Sequence, residues 1–361
     1  MYKLVLIALI LSLSYILFPI TAFSQISCGD TITEDTTLTE DLVCPIDVSH
    51  AIIIGASDIT LDLGGHTLLG QTIKANDTTA ILAQNVKDIT ITNGTIDGFS
   101  DAIFIIDSTN AIIRDMVIRN ENINDPDHYI SGVHLQNTHN STIMDSQFEY
   151  LFTYHKDAVT LYSSDAIIKN IHSRGGTVGL SYYPVCDNTL WPNTFEVSNS
   201  VFTDVPIGIE IMCSSQARIT DNKFINSNNA IQGDAPFPGA VTGLYIENNI
   251  IETSVSPAIG IEFRGIQDSE ILSNTITGND AYGIILSQSL GCISEISGWE
   301  CFYSKGNTIT ENIVRDNGTD LVHDSNSTPN IWKNNIFDTK EGADIKNIKS
   351  SITPILELLL N

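Results

Sequence analysis

The sequence predicts an all-β chain that coils into a single parallel β-helix, a solenoid of about eleven coils. Three observations predict this fold. A short phrase recurs along the chain, its apolar positions alternate with a period of two and favour Ile and Val, and no stretch between the repeats carries helical spacing. A solenoid repeat buries its apolar face only when neighbouring repeats stack on it. We therefore expect one elongated domain rather than two globular ones.

The recurring phrase centres on a polar residue, which we call the anchor. Phrases such as DITITNGTI, AIIRDMVI and LYIENNII each read as a short strand, a polar turn and a second apolar pair. Successive anchors lie 22 to 30 residues apart, with one step of 37. They are Asn93, Asp115, Asp145, Asn170, Asn199, Asp221, Asn248, Asn274, Glu311 and Asn334. Asn and Asp tolerate the left-handed backbone region, so we interpret the anchors as turn residues and a stacked Asn ladder as a structural device.

Residues 1–24 have the pattern of a cleaved secretory signal peptide. Lys3 precedes an apolar run, and a small-residue pattern ends at Ser24. An uncleaved membrane anchor is the alternative, but it needs roughly 18 or more apolar residues, and Pro19 interrupts the run early. We therefore expect a secreted protein, extracellular or in the cell envelope, with no transmembrane segment after signal cleavage.

The repeat occupies the middle of the chain, and the open ends of a solenoid need caps. We predict an N-terminal cap over residues 25–50, the parallel β-helix over 51–338 and a C-terminal cap over 339–361. Ile and Leu follow helical spacing in the last segment, and Thr353-Pro354 is placed to start a helix. The C-terminal cap is therefore expected to be helical.

Export would permit both disulfides and glycans. The chain has six cysteines, and stacking of consecutive coils would bring the two central ones within disulfide reach. The predicted pairs are Cys28–Cys44, Cys186–Cys213 and Cys292–Cys301. No CxxC occurs, which argues against a zinc or iron–sulfur site, and no metal ligands are predicted. Sequons stand at Asn76, Asn93, Asn140, Asn317 and Asn326, although Asn followed by Ser or Thr is also ordinary turn composition here.

The chain is strongly acidic, with 17 basic and 43 acidic residues and a net charge of -26. Nucleic acid and anionic membrane surfaces are therefore excluded as partners, since both need a positive footprint. A polyanionic ligand would need a local exception or a bridging cation. No cofactor is predicted, and Ca²⁺ stays open as an alternative, although no EF-hand spacing or Asp-rich nonapeptide is present. The oligomeric state is not predicted.

The strand before each anchor phrase should point alternate side chains inward and outward. The inward residues form an apolar column: Ile81, Ile103, Val133, Val159, Leu180, Ile209, Ile231, Ile261 and Ile284. The outward residues are Leu82 and Gln84, Phe104 and Ile106, His134 and Gln136, Thr160 and Tyr162, Ser181 and Tyr183, Glu210 and Met212, Gln232 and Asp234, Glu262 and Arg264, and Ile285 and Ser287. Acid–base and hydrogen-bonding groups are concentrated in the middle of this outward set, which makes it the candidate site.

The candidate site residues come from this outward set and the segments beside it. Candidate catalytic residues are His134, His155, Tyr162, Glu210, Asp234 and Arg264. Candidate substrate-binding residues are Gln136, Tyr183, Trp191, Gln232, Glu262 and Trp299. Glu210 and Asp234 face out from adjacent coils with backbones ~5 Å apart, so their carboxylates could interact, but in a chain this acidic a solvated acidic ladder is the favoured interpretation. Glu262 and Arg264 are expected to form an ion pair.

Insertions next to this strand carry aromatic residues. Trp191, Phe237 and Trp299 lie in segments that follow the strand, and other insertions precede it. Aromatic rings offer flat apolar faces to sugars, so these segments are expected to wall a groove, unless the rings merely pack their own loops. Five histidines fall within 45 residues, but their register predicts that they do not converge on one metal: His128, His134, His139, His155 and His172.

These phrases resemble the right-handed parallel β-helix proteins of the pectate lyase-like superfamily. GVHLQNTHNSTIMDSQF and AVTLYSSDAIIKNIHS are similar to repeats shared by carbohydrate-binding proteins, sugar hydrolases and the periplasmic copper-associated accessory protein of nitrous oxide reductase maturation. The resemblance covers about residues 50 to 338. It implies a right-handed helix and, for members that cut or epimerise polysaccharide, a site on the outer face of a strand ladder.

The leading functional hypothesis is an exported β-helix that engages a glycan or polysaccharide, as a binder or as a lyase, epimerase or hydrolase. In the enzyme version, His134 or His155 would accept the proton, Tyr162 or Tyr183 would donate it, and Arg264 would clamp charge. A non-catalytic cell-envelope or adhesion module is the alternative. A copper-site maturation accessory protein is a remote one, because the chain has only four Met and no Met-rich or His-rich tract.

Overall fold

The computed structural model is an all-β parallel solenoid, and the predicted fold class is confirmed. It describes residues 26–45, 47–70, 78–120, 130–150, 156–183, 194–212, 216–234, 241–253, 255–289, 302–327, 329–342 and 345. The predicted signal peptide and most of the predicted C-terminal helix lie outside these residues. Each coil contributes strands to up to three ladders, which we call the first, second and third faces.

The first face is a 13-stranded parallel sheet. Its strands are β1 (Asp30–Ile32), β4 (His50–Ile54), β7 (Thr79–Gln84), β9 (Asp101–Ile106), β11 (Ile130–Gln136), β14 (Lys156–Tyr162), β17 (Val178–Tyr183), β20 (Ile207–Met212), β23 (Asn229–Asp234), β27 (Ile259–Arg264), β31 (Tyr282–Ser287), β34 (Thr319–His323) and β37 (Lys340–Glu341).

The second and third faces are joined by two long strands that turn the corner between them, β8 (Thr90–Asp97) and β10 (Ile112–Asn120). The other strands of the second face are β2 (Thr36–Thr37), β5 (Thr60–Asp62), β12 (Ser141–Met144), β15 (Ala166–Lys169), β18 (Phe195–Ser198), β21 (Arg218–Thr220), β25 (Tyr245–Glu247), β29 (Glu270–Leu272), β32 (Thr308–Thr310) and β35 (Ile331–Lys333).

The third face completes the coil. Its other strands are β3 (Leu42–Cys44), β6 (Thr67–Gly70), β13 (Gln147–Tyr150), β16 (His172–Arg174), β19 (Val201–Thr203), β22 (Lys223–Ile225), β26 (Ile250–Glu252), β30 (Thr275–Thr277), β33 (Ile313–Arg315) and β36 (Ile336–Phe337). A separate two-stranded pair consists of β24 (Val241–Thr242) and β28 (Ile266–Gln267).

The segment predicted as the N-terminal cap continues the same architecture. Strands β1, β2 and β3 pair in parallel with β4, β5 and β6, so this segment stacks on the next coil through its own hydrogen bonds. The predicted disulfide Cys28–Cys44 is present, with the Cα atoms 5.6 Å apart. The other four cysteines lie outside the described residues.

The predicted apolar column fills the interior behind the first face. All nine of its residues, from Ile81 to Ile284, are fully buried, and each lies directly opposite the next across the sheet. Full burial of a Val, Leu or Ile side chain stabilises by about 1.5–3 kcal/mol. The same alternation that buries this column sends the intervening side chains outward, and this outward set contains the candidate site.

The anchors adopt the left-handed backbone expected of them, with one exception. Nine of the ten have a positive φ, for example 60° at Asn93 and 56° at Asn248, whereas at the eighth position Ser273 has the positive φ and Asn274 follows it. Asn274 is fully buried and belongs to a ladder in which each side-chain amide donates to the next, over 2.9–3.1 Å. The ladder runs Asn222, Asn249, Asn274, Asn312, Asn335. The Asn ladder therefore follows the anchors by one residue, since the exposed anchor turns the chain and its buried neighbour satisfies backbone groups.

Candidate functional site

The outer side of the first face carries a row of polar side chains in direct register. Backbone pairing aligns one residue from each of eight consecutive strands: Phe104, His134, Thr160, Ser181, Glu210, Gln232, Glu262 and Ile285. Apolar residues end the row on both sides. The polar middle therefore spans six coils at a strand spacing of about 4.8 Å. Three of its residues, His134, Glu210 and Gln232, are half-buried, whereas Thr160, Ser181 and Glu262 are buried.

Glu210 sits at the centre of this row and accepts two hydrogen bonds. The Tyr183 hydroxyl donates to Glu210 Oε2 over 2.7 Å, and Gln232 Nε2 donates to Glu210 Oε1 over 2.8 Å. Burial raises the pKa of Tyr183 above its ordinary value, and the neighbouring Glu210 carboxylate raises it further. Tyr183 therefore stays protonated at neutral pH and acts as a hydrogen-bond donor.

The network continues from Gln232 to the end of the polar row. Asn229 Nδ2 donates both to Gln232 Oε1 over 2.5 Å and to Glu262 Oε2 over 3.0 Å. Arg264 binds the other oxygen of Glu262 through Nη2 at 2.6 Å and Nε at 3.0 Å. The predicted Glu262–Arg264 ion pair is thus present, and all four oxygens of Glu210 and Glu262 accept hydrogen bonds.

A second acidic group lies deeper beside Ser181. Asp157, only 1% exposed, accepts a hydrogen bond from the Ser181 hydroxyl. On the next coil, the Ser131 hydroxyl donates to Thr160 Oγ1 over 3.1 Å. Ser181 connects Asp157 to the row that contains Glu210, because Ser181 and Glu210 are direct register partners.

His134 occupies the other end of the polar row. Its ring stacks on Phe104 with centroids 4.5 Å apart, and its Nδ1 lies 4.0 Å from Asp101 Oδ1. Burial lowers the pKa of His134 to about 4. The imidazole is therefore neutral at neutral pH and has a ring nitrogen that can accept a proton.

The structure separates the predicted site residues into groups. Tyr183, Gln232, Glu262 and Arg264 join Glu210 in one network, whereas Gln136 and Tyr162 pair with each other one row away. Tyr162 is 45% exposed, which leaves its ring face accessible to a ligand. His155, Trp191 and Trp299 lie outside the described residues.

The backbone register does not place Glu210 opposite Asp234. The backbone register places Gln232 opposite Glu210, and Asp234 stands opposite Met212 and Arg264. Adjacent coils bring their strands together, but the register decides which side chains meet. Glu210 is therefore bonded to neutral partners rather than to a second acid.

Sequence reasoning missed several residues of the site. Asn229, which links Gln232 to Glu262, is the first residue of its strand and lies outside the two outward rows. Asp101, beside His134, also begins its strand. Asn229 stands two residues before the inward Ile231, and Asp101 stands two residues before the inward Ile103. Strict alternation along a strand therefore assigns both side chains to the interior. Their shared place at the strand start is the signal that could have found them.

The second face carries a groove of about 410 Å³. Asp165, Ile167, Glu196 and Arg218 are among its lining residues. Next to the groove, the Arg218 guanidinium lies 4.2 Å from the centre of the Tyr245 ring, in a cation–π contact. Here the exposed aromatic is already covered by a cation of its own chain, unlike Tyr162 on the first face.

The fold and its polar strand ladder define a class of protein. Residues 57–232 match the family model described as right handed beta helix region. Residues 156–352, more than half of the chain, match the model described as periplasmic copper-binding protein (NosD), and the chain belongs to this family. It matches no curated protein.

Solved structures with a similar fold include two that hold oligosaccharides. The catalytic domain of a GH87 alpha-1,3-glucanase in complex with nigerose is 15% identical, with a TM-score of 0.62 over 90% of this chain and 63% of that one. A double mutant of the tailspike protein of E. coli bacteriophage HK620, in complex with pentasaccharide, is 12% identical, with a TM-score of 0.59 over 89% of this chain and 61% of that one. This chain spans less than two thirds of either, and the likeness shows the fold.

The family description raises the question of copper, which prefers Cys, Met and His ligands. Within the described residues, no group of three or more His, Cys, Asp or Glu could hold a metal ion. Cys28 and Cys44 are joined in a disulfide, and Met116 is buried in the core. Met144 and Met212 lie on different faces. The described part of the chain therefore offers no copper site. It also contains no helix long and apolar enough to cross a membrane.

Proposed function

We propose that this protein is exported and engages a glycan along the outer side of the first face. One observation carries the proposal: a connected network of phenol, amide, carboxylate and guanidinium groups runs from Tyr183 to Arg264 across four coils. Sugar hydroxyls both donate and accept hydrogen bonds, so a row of paired donors and acceptors at coil spacing suits an extended oligosaccharide. The similar folds that hold nigerose and a pentasaccharide support this choice of ligand.

In the catalytic form of the proposal, the outer face modifies the glycan by acid–base chemistry. Tyr183 would be the proton donor, although Glu210, 2.7 Å away, and burial raise its pKa and so oppose the transfer. His134 would be the acceptor, although burial lowers its pKa to about 4 and makes it a weak base. Arg264, held by Glu262 Oε1 through Nη2 and Nε, would clamp charge at the end of the row. Lyase, epimerase and hydrolase reactions all use such groups, so the reaction class is left to experiment.

A non-catalytic binding module is the second candidate, and one observation favours it. Every oxygen of Glu210 and Glu262 already accepts a hydrogen bond within the protein. Catalytic carboxylates usually keep an oxygen for the reacting atom or for water. A fully bonded network is rigid instead, and rigidity lowers the entropic cost of binding an extended ligand.

A polysaccharide screen that measures both binding and newly formed chain ends tests the proposal. We expect the mature protein to bind at least one polysaccharide. Glu210→Gln should then distinguish the two forms: a lyase or hydrolase should lose most of its production of new ends and an epimerase its change of sugar configuration, read by NMR, whereas a binding module should show neither in either variant. Absence of binding across a broad panel of neutral and charged polysaccharides would contradict the proposal.

A further inference from the structure

The charges of the first face are strongly unbalanced. The eight strands from β9 to β31 contain five acids: Asp101, Asp157, Glu210, Asp234 and Glu262. The same strands contain two bases, Lys156 and Arg264. His134 adds no charge at neutral pH, because burial keeps it neutral. Asp157 and Lys156 are buried and offset each other in charge. Asp101, Glu210 and Glu262 then stand against Arg264, so the described side chains of these strands carry a net negative charge.

Both bases are already bonded within the protein. Lys156 is only 1% exposed, and its Nζ donates to the backbone carbonyl of Asn120 over 3.3 Å. Arg264 binds Glu262 Oε1 through two of its nitrogens. Neither one presents an uncompensated positive charge to a ligand.

The sequence next to these strands supplies no further lysine or arginine. The insertions that precede β11 and β14, residues 121–129 and 149–155, contain none. The insertions that follow β17, β23 and β31 also contain none: residues 184–193, 235–240 and 290–301. Residues 121–129, 184–193 and 290–301 contain Asp or Glu, whereas 235–240 contains neither and the one acid of 149–155, Glu149, lies in β13 on the third face. The wider chain, at a net charge of -26, reinforces the same sign.

We infer that the first face accepts only glycans that lack carboxylate and sulfate groups. This inference rests on the proposed function and narrows its ligand class. A uronate or sulfate group placed on the row would face carboxylates without a free cation, and like charges at close range repel. The hydroxyls of an uncharged sugar, or the ammonium group of an amino sugar, carry no such penalty. Glu210 and Glu262 are the residues that set this specificity.

Binding of three named probe classes tests the inference. Neutral glucans, chitosan as an amino polysaccharide, and polygalacturonate with alginate as polyuronates should be compared at low and at high salt. We expect binding to neutral or amino polysaccharides and none to the polyuronates. Binding of wild-type protein to a polyuronate would overturn the inference while leaving the proposed function intact. Binding to none of the three would contradict the proposed function itself.

A pair of matched substitutions tests the physical cause. Glu262→Gln releases Arg264 on the first face, whereas Glu252→Gln releases Lys223, which lies 2.9 Å from Glu252 on the third face. Both change the net charge by the same amount. We expect Glu262→Gln alone to gain polyuronate binding, by at least tenfold at low salt. An equal gain in both variants, or no gain in Glu262→Gln, would overturn the inference, since the exclusion would not then arise from this face.

Discussion

The first and third faces of the same coils both carry charged residues, but they use them differently. The third face holds ion pairs between neighbouring coils: Arg119–Glu149 at 3.0 Å, Arg174–Asp204 at 3.6 Å and Lys223–Glu252 at 2.9 Å. Every side chain in these pairs is at least 41% exposed. On the first face, by contrast, the side chains of Glu262 and Arg264 are 10% and 35% exposed, and Glu210 is bonded only to neutral groups.

This difference favours the first face as the candidate site. Paired, solvated charges cancel one another and keep the rod soluble at little cost or gain in stability. Unbalanced and half-buried acids lose solvation without a compensating cation, which costs stability. Such an arrangement is typical of sites where structure serves recognition or chemistry.

The largest effect is expected from a charge placed behind the first face. Ile209 is fully buried in the inward column, so Ile209→Asp should abolish cooperative folding through an unpaired buried charge, a loss of several kcal/mol, ~4 or more. The matched control is Ile250→Asp, because Ile250 is 41% exposed on the third face. That substitution should change the free energy of unfolding by less than about 1 kcal/mol. Thermal unfolding, followed by circular dichroism, measures the stability of both variants. A well-folded Ile209→Asp protein would show that the inner and outer sides are reversed.

An intermediate effect is expected from pH. The pKa of His134 in the folded protein is about 4, below its ordinary value of about 6.5. Between these two pH values His134 is protonated in the unfolded chain but neutral in the folded protein. The free energy of unfolding should therefore fall as pH decreases from about 6.5 towards 4. His134→Gln should flatten this part of the stability profile. His172→Gln, on the exposed part of the third face, should leave the wild-type profile unchanged. Identical profiles for wild type and His134→Gln would contradict the burial of this imidazole.

The smallest effect is expected from a third-face ion pair. Glu149→Gln removes one partner of an exposed pair, so the free energy of unfolding should change by less than about 1 kcal/mol, and the change should shrink in high salt. Chemical denaturation at two salt concentrations measures it. A loss above about 2 kcal/mol would show that the third face is not merely solvated, and the contrast between the faces would weaken.

Much of the fold followed from the sequence, because both the alternation of Ile and Val and the recurring anchor are local properties that every coil repeats. The inward column from Ile81 to Ile284 was predicted residue by residue. The disulfide Cys28–Cys44 was predicted from its position before the first repeat. The Asn ladder was misplaced by one residue, since the pattern shows that a turn exists but not which of two neighbouring polar residues is buried.

The candidate site was only partly predictable. Alternation placed Tyr183, Glu210 and Glu262 on the outward side, and the Glu262–Arg264 pair followed from their spacing. The register across coils also followed from the inward column: Glu210 follows Ile209 and Gln232 follows Ile231, which places Gln232 rather than Asp234 opposite Glu210. The alternation of inward and outward side chains fails at the first residue of a strand, at the corner of the coil. That is why the sequence did not reveal the link through Asn229.

Matched tyrosine substitutions test most directly the claim that the first face is where ligand binds. Tyr183 belongs to the first-face network, whereas Tyr245 lies on the second face under Arg218. With a polysaccharide that wild-type protein binds, Tyr183→Ala should weaken affinity by ~1 to 3 kcal/mol, because an aromatic ring in contact with a sugar contributes about that much. Tyr162→Ala should act in the same direction, and Tyr245→Ala should leave affinity unchanged. Unchanged affinity in both first-face variants, with a loss in Tyr245→Ala, would contradict the account and move the binding site to the second face.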